Sequence, residues 1–297
     1  MKTYSYTAYG LAIESEIEFR ELSHGSSEKT DVYIQEAKVP LPSNGQWGEG
    51  TDFHAEEGKL LLVVDGVARY LAQGGIEITF ERLNDASYDD VRLFLLGSVL
   101  GAILMQRRRL VLHGSVVSSG GKAVAFLGDS GVGKSTLAAS LVKAGMALLS
   151  DDICSISGIE VDSGFPQSKL WLDSLDWMGL SENEFRRVRP QFEKRAIPID
   201  LKDFHSSSCP LERIFVLNKT AGRSLVVRDL SGTRKFLGLS EKSYRLQFVE
   251  GMGLSRLHFQ QIAELAKTVR VTEVIRPSDG MPINRLVSAI LENLEVE

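Results

Sequence analysis

The amino-acid sequence predicts an α/β protein in which a small, mainly antiparallel β domain precedes a larger domain of alternating strands and helices. Turn signals at Glu57-Gly58, Asp65-Gly66 and Gly74-Gly75 are evenly spaced between apolar runs, as in an antiparallel meander. After residue 108, strand-like runs alternate with helical periodicity, which is typical of an α/β domain. We expect a β-rich domain over 1–85, a connecting helix over 86–108 and an α/β domain over 109–297.

The N-terminal strands and the helix after them follow from local patterns. Aromatic and small residues alternate with polar ones over residues 4–8, and residues 32–34 form a second short strand-like run. The acids at 89–90 suit the positive end of a helix dipole, and the arginines at 107–109 suit its negative end. We therefore interpret the basic triplet as helix-end electrostatics and not as a phosphate or nucleic-acid patch.

The larger domain is predicted element by element from the same periodicities. Strands are expected over 109–117, 122–128, 147–152, 211–217, 224–230 and 269–275, and helices over 133–144, 254–267 and 284–294. Residues 157–209 are rich in glycine, proline and serine and are expected to form loops around the site.

Composition narrows the class of protein. The 297 residues are 43% hydrophobic and 25% charged, which excludes disordered and fibrous classes. A net charge of −5 gives no reason to expect nucleic acid or an anionic membrane as a partner, and it leaves a homo-oligomer open. The apolar run at 91–105 contains Arg92 and is shorter than the roughly 20 residues that span a bilayer, so we interpret it as a buried helix.

The cysteines and the N-terminus suggest a compartment. Cys154 and Cys209 are the only cysteines, and their spacing matches neither a disulfide framework nor a structural zinc site. No apolar signal-peptide core follows the first residues. We expect a cytoplasmic protein.

One motif carries clear chemistry. The segment GDSGVGKS at 128–135 fits G-x-x-x-x-G-K-[ST], with a strand before it and a helix after it. Backbone N–H groups in such a loop surround phosphate oxygens at a helix N-terminus, Lys134 reaches the β and γ phosphates, and the Ser135 hydroxyl can ligate Mg²⁺. The predicted nucleotide-binding residues are Gly128, Asp129, Ser130, Gly131, Val132, Gly133, Lys134, Ser135 and Thr136.

A pair of carboxylates follows the next predicted strand. Asp151 and Asp152 are adjacent at a strand end, where successive side chains point in different directions. One of them can hold Mg²⁺ together with Ser135, and the other can accept the proton of an attacking hydroxyl.

Three motifs together resemble one known family. His113 at the end of a strand in LHGSVV, the loop GDSGVGKS, and ALLSDD are similar, in this order and spacing, to the HPr serine kinase/phosphorylase family. The resemblance covers residues 113–152. It implies the fold of HPr kinase and of ATP-dependent phosphoenolpyruvate carboxykinase, with ATP and Mg²⁺ as cofactors.

The same resemblance implies roles for individual residues. Asp151 resembles the general base of the family, Asp152 and Ser135 the magnesium side, and Lys134 the phosphate clamp. His113 resembles the active-site histidine, whose role is left open.

The match to HPr kinases ends after the aspartate pair. GFPQSKLWLDSLDWMG at 164–179 stands where HPr kinases carry a signature associated with the phosphorylase reaction, so neither that reaction nor HPr as the substrate is carried over. Parts of this segment, KRAIPID at 194–200 and the opening YTAYGLAIESEI resemble an HPr-kinase-like subgroup. That subgroup includes kinases of lasso-peptide gene clusters, which phosphorylate a serine at the end of a precursor peptide.

The remaining candidates have structural explanations. A capping box at 181–184 precedes the basic stretch 186–195, which we interpret as a solvated helix face. Arg195 lies where HPr kinases also have a basic residue near the site, so by that resemblance we take it as a candidate phosphate or substrate contact. Trp171 and Trp177 are expected in the core, and the other histidines show no metal-ligand spacing.

The sequence thus favours an ATP- and Mg²⁺-dependent kinase that phosphorylates a serine hydroxyl of a peptide or protein, with a lasso-peptide precursor as the preferred acceptor. Two alternatives stay open. One is a kinase of a free amino acid or another small hydroxyl compound, and the other is a non-catalytic nucleotide-binding regulator.

Overall fold

The structure is a computed structural model that describes residues 2–26, 28–42, 50–189, 192–278 and 281–295. The chain is mixed α/β and divides into two compact units. The first unit comprises Met1–Val111 and Tyr244–Gln260, and the second comprises Leu112–Ser243 and Gln261–Glu297. None of the helices in the described ranges has the length and apolar character needed to cross a bilayer.

The elements are numbered here in chain order. The strands are β1 (Tyr4–Ala8), β2 (Leu11–Ser15), β3 (Ser23–His24), β4 (Val32–Glu36), β5 (Thr51–Glu56), β6 (Lys59–Val64), β7 (Ala68–Gln73), β8 (Glu77–Arg82), β9 (Leu110–Ser119), β10 (Lys122–Gly128), β11 (Ala147–Ser150), β12 (Ile153–Ser157), β13 (Glu160–Val161), β14 (Gln167–Trp171), β15 (Arg186–Arg189), β16 (Phe192–Pro198), β17 (Cys209–Thr220), β18 (Val226–Asp229) and β19 (Arg270–Pro277). The helices are α1 (Tyr88–Phe94), α2 (Leu100–Gln106), α3 (Lys134–Lys143), α4 (Leu172–Met178), α5 (Gly232–Ser240), α6 (Leu246–Gly251), α7 (Ser255–Thr268) and α8 (Ile283–Glu295).

The first unit contains an eight-stranded sheet in the order β3-β1-β2-β4-β8-β7-β6-β5. The predicted meander is confirmed, because β6, β7 and β8 pair in sequence as antiparallel neighbours, and β5 adds a further antiparallel strand beside β6. The β2–β4 and β4–β8 pairs are parallel, so the sheet is mainly but not wholly antiparallel.

The boundaries of the first unit differ from those expected. The helical segment 88–106 belongs to it and does not act as a connection, because most of its side chains are buried. The helix begins at Ser87, whose hydroxyl accepts a hydrogen bond from the Asp90 N–H. Residues 244–260 also join this unit, and the Phe248 ring packs against Phe53 with 4.9 Å between ring centroids.

The second unit is organised around a sheet in the order β10-β9-β12-β13-β17-β19-β18, with β11 paired to β9. Strand β10 also pairs with β17, and β17 with β19, both in parallel. The carboxyl ends of these three parallel strands therefore lie at one edge of the sheet. Buried side chains of β10 and β17 meet those of α3 and α8 in one apolar core, in which the Phe126 and Phe215 rings are stacked.

The segment 157–209, expected as loops, contains a separate antiparallel sheet in the order β14-β16-β15. The basic residues of 186–195 thus lie on two strands and not on a helix face, and residues 182–184 before them form a short 3₁₀ turn. Strand pairing over such distances depends on tertiary context, which local propensity does not report.

Candidate active site

The phosphate-binding loop leaves the carboxyl end of β10 and enters α3, as its motif predicts. Gly131 and Gly133 adopt φ values of 79° and 102°, which favour glycine. At Gly128 a Cβ atom would lie 2.7 Å from the Leu217 carbonyl oxygen, so only glycine fits against β17. The Val132 side chain is buried in the apolar core, which fixes the loop to the sheet.

Two side chains outside the loop hold its shape. The Arg276 guanidinium donates from Nε and Nη2 to the Val132 carbonyl oxygen, at 3.1 and 2.9 Å. The Lys242 ammonium donates to Asp129 Oδ1 at 2.8 Å, and this hydrogen bond lowers the pKa of the Asp129 carboxyl. Sequence reasoning missed both residues, since each lies more than 100 positions from its partner and no local pattern marks it.

Lys134 is held at the inner side of the loop. Its ammonium donates to the carbonyl oxygens of Gly128 and Asp129 at 2.8 and 3.0 Å and to His113 Nε2 at 3.1 Å. Burial lowers the pKa of Lys134 to about 8, although the neighbouring aspartates oppose that shift. The lysine is therefore positioned beside the loop, where a phosphate chain would lie.

His113 links the lysine to the aspartate pair. It lies inside β9 and not at a strand end as expected, because the strand continues to Ser119. Its Nδ1 donates to the Asp152 carbonyl oxygen at 3.1 Å, which leaves Nε2 as the acceptor for Lys134. Burial lowers the pKa of the imidazole, in agreement with a neutral ring.

The two aspartates have different environments. Asp151 is buried, and four donors reach its carboxylate: the hydroxyls of Ser115, Ser135 and Ser168 at 2.6, 2.9 and 2.7 Å, and the Lys169 N–H at 2.9 Å. Every conventional acceptor position of this carboxylate is therefore occupied. Asp151 is fixed in place beside the serine of the loop.

Asp152 faces the cavity instead. Its φ of 77° places it in the left-handed region, a costly conformation for a non-glycine residue. The Lys169 ammonium lies 3.0 Å from Asp152 Oδ2, and His113 Nδ1 lies 3.6 Å from Oδ1. Although burial disfavours the charged form, Lys169 and the other nearby cations hold the pKa of Asp152 well below its usual range.

The donor set suits Mg²⁺ bound through a nucleotide. The Ser135 hydroxyl and the Asp152 carboxylate line the cavity and offer hard oxygen ligands, and the Asp151 carboxylate behind them accepts the Ser135 hydrogen bond. Across the described ranges, no group of three or more His, Cys, Asp or Glu side chains could form an all-protein metal cage. Mg²⁺ commonly binds in this way, through one or two carboxylates together with substrate phosphates.

The cavity beside the loop also receives side chains from the three-stranded sheet. Its lining residues are His113, Ser130, Gly131, Gly133, Lys134, Ser135, Thr136, Asp152, Lys169, Trp171 and Lys194. Lys169 and Lys194 were missed by sequence reasoning, and Trp171, which was expected in the core, is 37% exposed on the cavity wall. In the sequence, the departure of residues 164–179 from the HPr kinase signature was the one feature that could have pointed to Lys169 and Trp171 as cavity residues.

Strand alternation separates Lys194 from Arg195. Trp171 pairs with Lys194 across β14 and β16, so these two side chains share the sheet face that lines the cavity. Arg195 points to the opposite face, where its guanidinium donates to the Glu182 carboxylate at 2.6 Å and to the Glu182 carbonyl oxygen. The predicted phosphate contact at Arg195 therefore lies outside the cavity.

Thr136 also contacts a side chain of α4. Its hydroxyl lies 2.7 Å from the Ser174 hydroxyl of α4, within hydrogen-bonding distance. Thr136 thus lines the cavity while it ties the start of α3 to α4.

A second cavity, of about 550 Å³, lies at the same edge of the sheet. It begins where β17 and β19 end and includes the two arginines Arg223 and Arg285. Its wall includes Pro277, next to the Arg276 that binds the phosphate loop. Its lining residues are Thr220, Ala221, Gly222, Arg223, Leu225, Pro277, Ser278, Met281 and Arg285.

Comparison with known proteins gives a partial match. No family model matches the chain. The chain is 29% identical over 147 residues to the HPr kinase/phosphorylase of Mycoplasmopsis pulmonis (strain UAB CTIP), which covers 47% of this chain and 47% of that protein. The match thus spans about half the length of the curated relative.

Among solved structures, the chain is similar to the Hpr(Ser) kinase/phosphatase from Coxiella burnetii at 13% identity and a TM-score of 0.32. The similarity covers 63% of this chain and 90% of that one.

Proposed function

We propose that this protein is an ATP- and Mg²⁺-dependent kinase that transfers the γ-phosphoryl group to a serine hydroxyl of a peptide or protein. One observation carries the proposal: Lys134 and Ser135 of the phosphate loop lie against a fixed Asp151 and a cavity-facing Asp152. The sequence similarity to an HPr kinase/phosphorylase supports the same reaction class.

The loop residues bind and orient the nucleotide in this proposal. The N–H groups of 128–135 and the N-terminus of α3 surround the β and γ phosphates, and Lys134 exchanges its bonds to loop carbonyls for phosphate oxygens. Ser135 would hold Mg²⁺ while its hydroxyl still donates to Asp151, and the metal when bound would neutralise charge on the phosphates. The second cavity, of about 550 Å³, is proposed to receive the base and ribose, because it lies at the same sheet edge beside Arg276.

The environments of the aspartates favour a division of roles opposite to the one that the resemblance implies. Asp151 is joined to the loop serine and saturated with donors, which suits the metal side. Asp152 has its carboxylate in the cavity, where an acceptor hydroxyl can reach it. In the proposed step the serine oxygen bonds to the γ phosphorus while the bond from that phosphorus to the β–γ bridging oxygen breaks. Asp152 takes the hydroxyl proton, and ADP leaves with the electron pair.

His113 positions groups on both sides of this step. Its two ring nitrogens contact the Lys134 ammonium and the Asp152 backbone. One neutral ring therefore holds the phosphate-binding lysine and the proton-accepting aspartate in fixed positions relative to each other. We propose a positioning role for His113.

A lasso-peptide precursor is the proposed acceptor. Its support is the sequence likeness of the segments 164–175 and 194–200 to the kinases of such gene clusters. The relative from Mycoplasmopsis pulmonis carries HPr in its name, so HPr is the comparison substrate.

The test is mass spectrometry of products after incubation with ATP, Mg²⁺ and candidate acceptors, including peptides encoded beside this gene, HPr and free serine. A gain of one phosphate on a peptide serine supports the proposal. ATP binding without transfer to any acceptor would instead indicate a nucleotide-binding regulator, and transfer to free serine alone a small-molecule kinase.

A further inference from the structure

The active-site cavity carries more positive charge than its carboxylates balance. Among the described residues that line it, Lys134, Lys169 and Lys194 carry ammonium groups and Asp152 carries the one carboxylate, while the buried Asp151 carboxylate acts on Lys134 from behind the wall. The fifth ionisable group, His113, has a lowered pKa because of burial and adds no positive charge near neutral pH. The wall is therefore suited to anions.

Two of the three lysines already have a defined partner. Lys134 binds the carbonyl oxygens of the phosphate loop and belongs to the nucleotide. Lys169 forms an ion pair with Asp152 at 3.0 Å and donates its backbone N–H to Asp151. The nucleotide phosphates therefore balance the charge of Lys134, and the aspartate pair balances that of Lys169.

Lys194 is different. Within the described part of the chain it forms no ion pair with a carboxylate, yet it is half-buried in the cavity wall. Its ammonium lies 4.9 Å from the centroid of the Trp171 ring, which stands directly opposite on β14. The aromatic face fixes the position of the charge and excludes water from one side of it.

The position of this charge relates it to the acceptor. Lys194 lines the same cavity as Lys134 and Asp152. Burial lowers the pKa of Lys134 and the Lys194 charge lowers it further, while for Asp152 the Lys194 charge adds to that of Lys169 in lowering the pKa against the effect of burial. Lys194 thus lies within electrostatic reach of the group that receives the acceptor proton. A substrate with only a neutral hydroxyl at Asp152 would leave this cation unpaired beside another cation.

We propose that Lys194, stacked on Trp171, binds a carboxylate that the acceptor carries beside its hydroxyl group. This inference rests on the proposed kinase function and specifies its substrate class. The class contains a serine with a free α-carboxylate, at a peptide end or as the amino acid, and a serine followed by an acidic side chain. The shared chemistry is one carboxylate a few bonds away from the hydroxyl oxygen.

Binding is tested without turnover. Isothermal titration calorimetry with MgADP present compares N-acetyl-Gly-Ala-Ser as the free acid and as the C-terminal amide. One charge-assisted contact is worth about tenfold in affinity, so the acid should bind about tenfold more tightly than the amide. Free serine and N-acetyl-Gly-Ser-Glu-amide identify which source of carboxylate the site prefers.

Variants assign the preference to Lys194. Lys194→Met should bind acid and amide alike, at the affinity of the amide, while Lys194→Arg should keep part of the preference. The exposed Lys202, on the same unit, provides the matched control Lys202→Met, which should behave as wild type. The preference in wild type should also weaken as NaCl is raised, which needs no variant.

The outcomes separate this inference from the kinase proposal. Equal binding of acid and amide to wild type, or an acid preference that survives in Lys194→Met, overturns the subsite. So does a Lys194→Met variant whose only defect is a raised KM for ATP, because Lys194 would then contact phosphate. Preferential binding of the acid without phosphoryl transfer to any acceptor supports the subsite and overturns the kinase.

Discussion

The Ser135 hydroxyl donates to Asp151 Oδ1 across 2.9 Å, and this contact joins the phosphate loop to the aspartate pair. The bond connects residues 16 positions apart that lie on a helix N-terminus and a strand end. Because the same carboxylate also receives three other donors, Asp151 has little freedom to turn toward the cavity. The carboxylate that remains accessible there belongs to Asp152.

Asp151→Asn should raise the Mg²⁺ requirement of phosphoryl transfer. The amide replaces one anionic oxygen next to Ser135 by an NH₂ group, so the metal site loses negative charge. The new NH₂ group then faces the Ser135 hydroxyl, which is also a donor. High Mg²⁺ should restore part of the rate. The same mismatch should lower stability by about 1–3 kcal/mol, which urea unfolding measures.

Asp152→Asn should bind MgATP but transfer phosphate about 10²-fold more slowly or worse, with no recovery at high Mg²⁺. The amide keeps the shape of the side chain and removes the proton acceptor. A Mg²⁺ titration of both variants, with phosphoserine as the readout, compares them directly. If Mg²⁺ rescues Asp152→Asn and not Asp151→Asn, the roles implied by the family resemblance are correct.

Lys134→Ala should weaken nucleotide binding and reduce turnover by at least about 10²-fold, since it removes the cation that faces the β and γ phosphates. Calorimetry with ATP and a phosphoserine assay measure the two effects. Lys202→Ala changes an exposed lysine of the same unit and should match wild type. Transfer by Lys134→Ala at the wild-type rate would exclude a phosphate-clamping role.

The phosphorylase reaction should be absent. The segment at 164–179 lacks the signature linked to that reaction and supplies Lys169 and Trp171 to the cavity instead. Phosphopeptide incubated with inorganic phosphate and Mg²⁺ should therefore yield no pyrophosphate, and an HPr kinase/phosphorylase with its own phosphoprotein serves as the positive control. Pyrophosphate release by this protein contradicts the prediction.

Asp229 should stabilise the second unit only above acidic pH. Burial raises the pKa of this carboxyl, but hydrogen bonds from Arg270 and Thr272 and the charge of Arg213 outweigh it, so the net shift is downward. A lowered pKa in the folded state means that the stabilisation is present above the unfolded-state pKa, near 3.9, and is lost as pH falls through the folded pKa.

Asp229→Asn should accordingly be less stable than wild type at pH 7, by at most about 1 kcal/mol because solvent screens this half-exposed carboxylate, and the difference should shrink below about pH 4. Urea midpoints at several pH values measure this. Asp200→Asn, at an exposed aspartate of the same unit, is the control and should follow wild type. A difference that grows toward acidic pH would assign the stabilisation to other groups.

Local sequence determined those features whose physical causes are local. The β6–β8 meander follows from turn residues between alternating runs, and the phosphate loop follows from glycines at positions that need positive φ. The presence of Lys134, Ser135 and two aspartates near one another follows from the order of strand, loop, helix and strand. These features involve neighbours in the chain, so a short pattern was sufficient to predict them.

Tertiary structure decided what depends on distant contacts. The sequence analysis singled out Arg195 in the basic stretch 186–195, but the pairing of β14 with β16 puts Lys194 in the cavity and Arg195 on Glu182. The roles of Asp151 and Asp152 likewise separated only when Ser115 and Ser168, which come from other strands, saturated one carboxylate. Strand register and the supply of hydrogen-bond donors are set by residues far apart in sequence, which is why local pattern could not predict them.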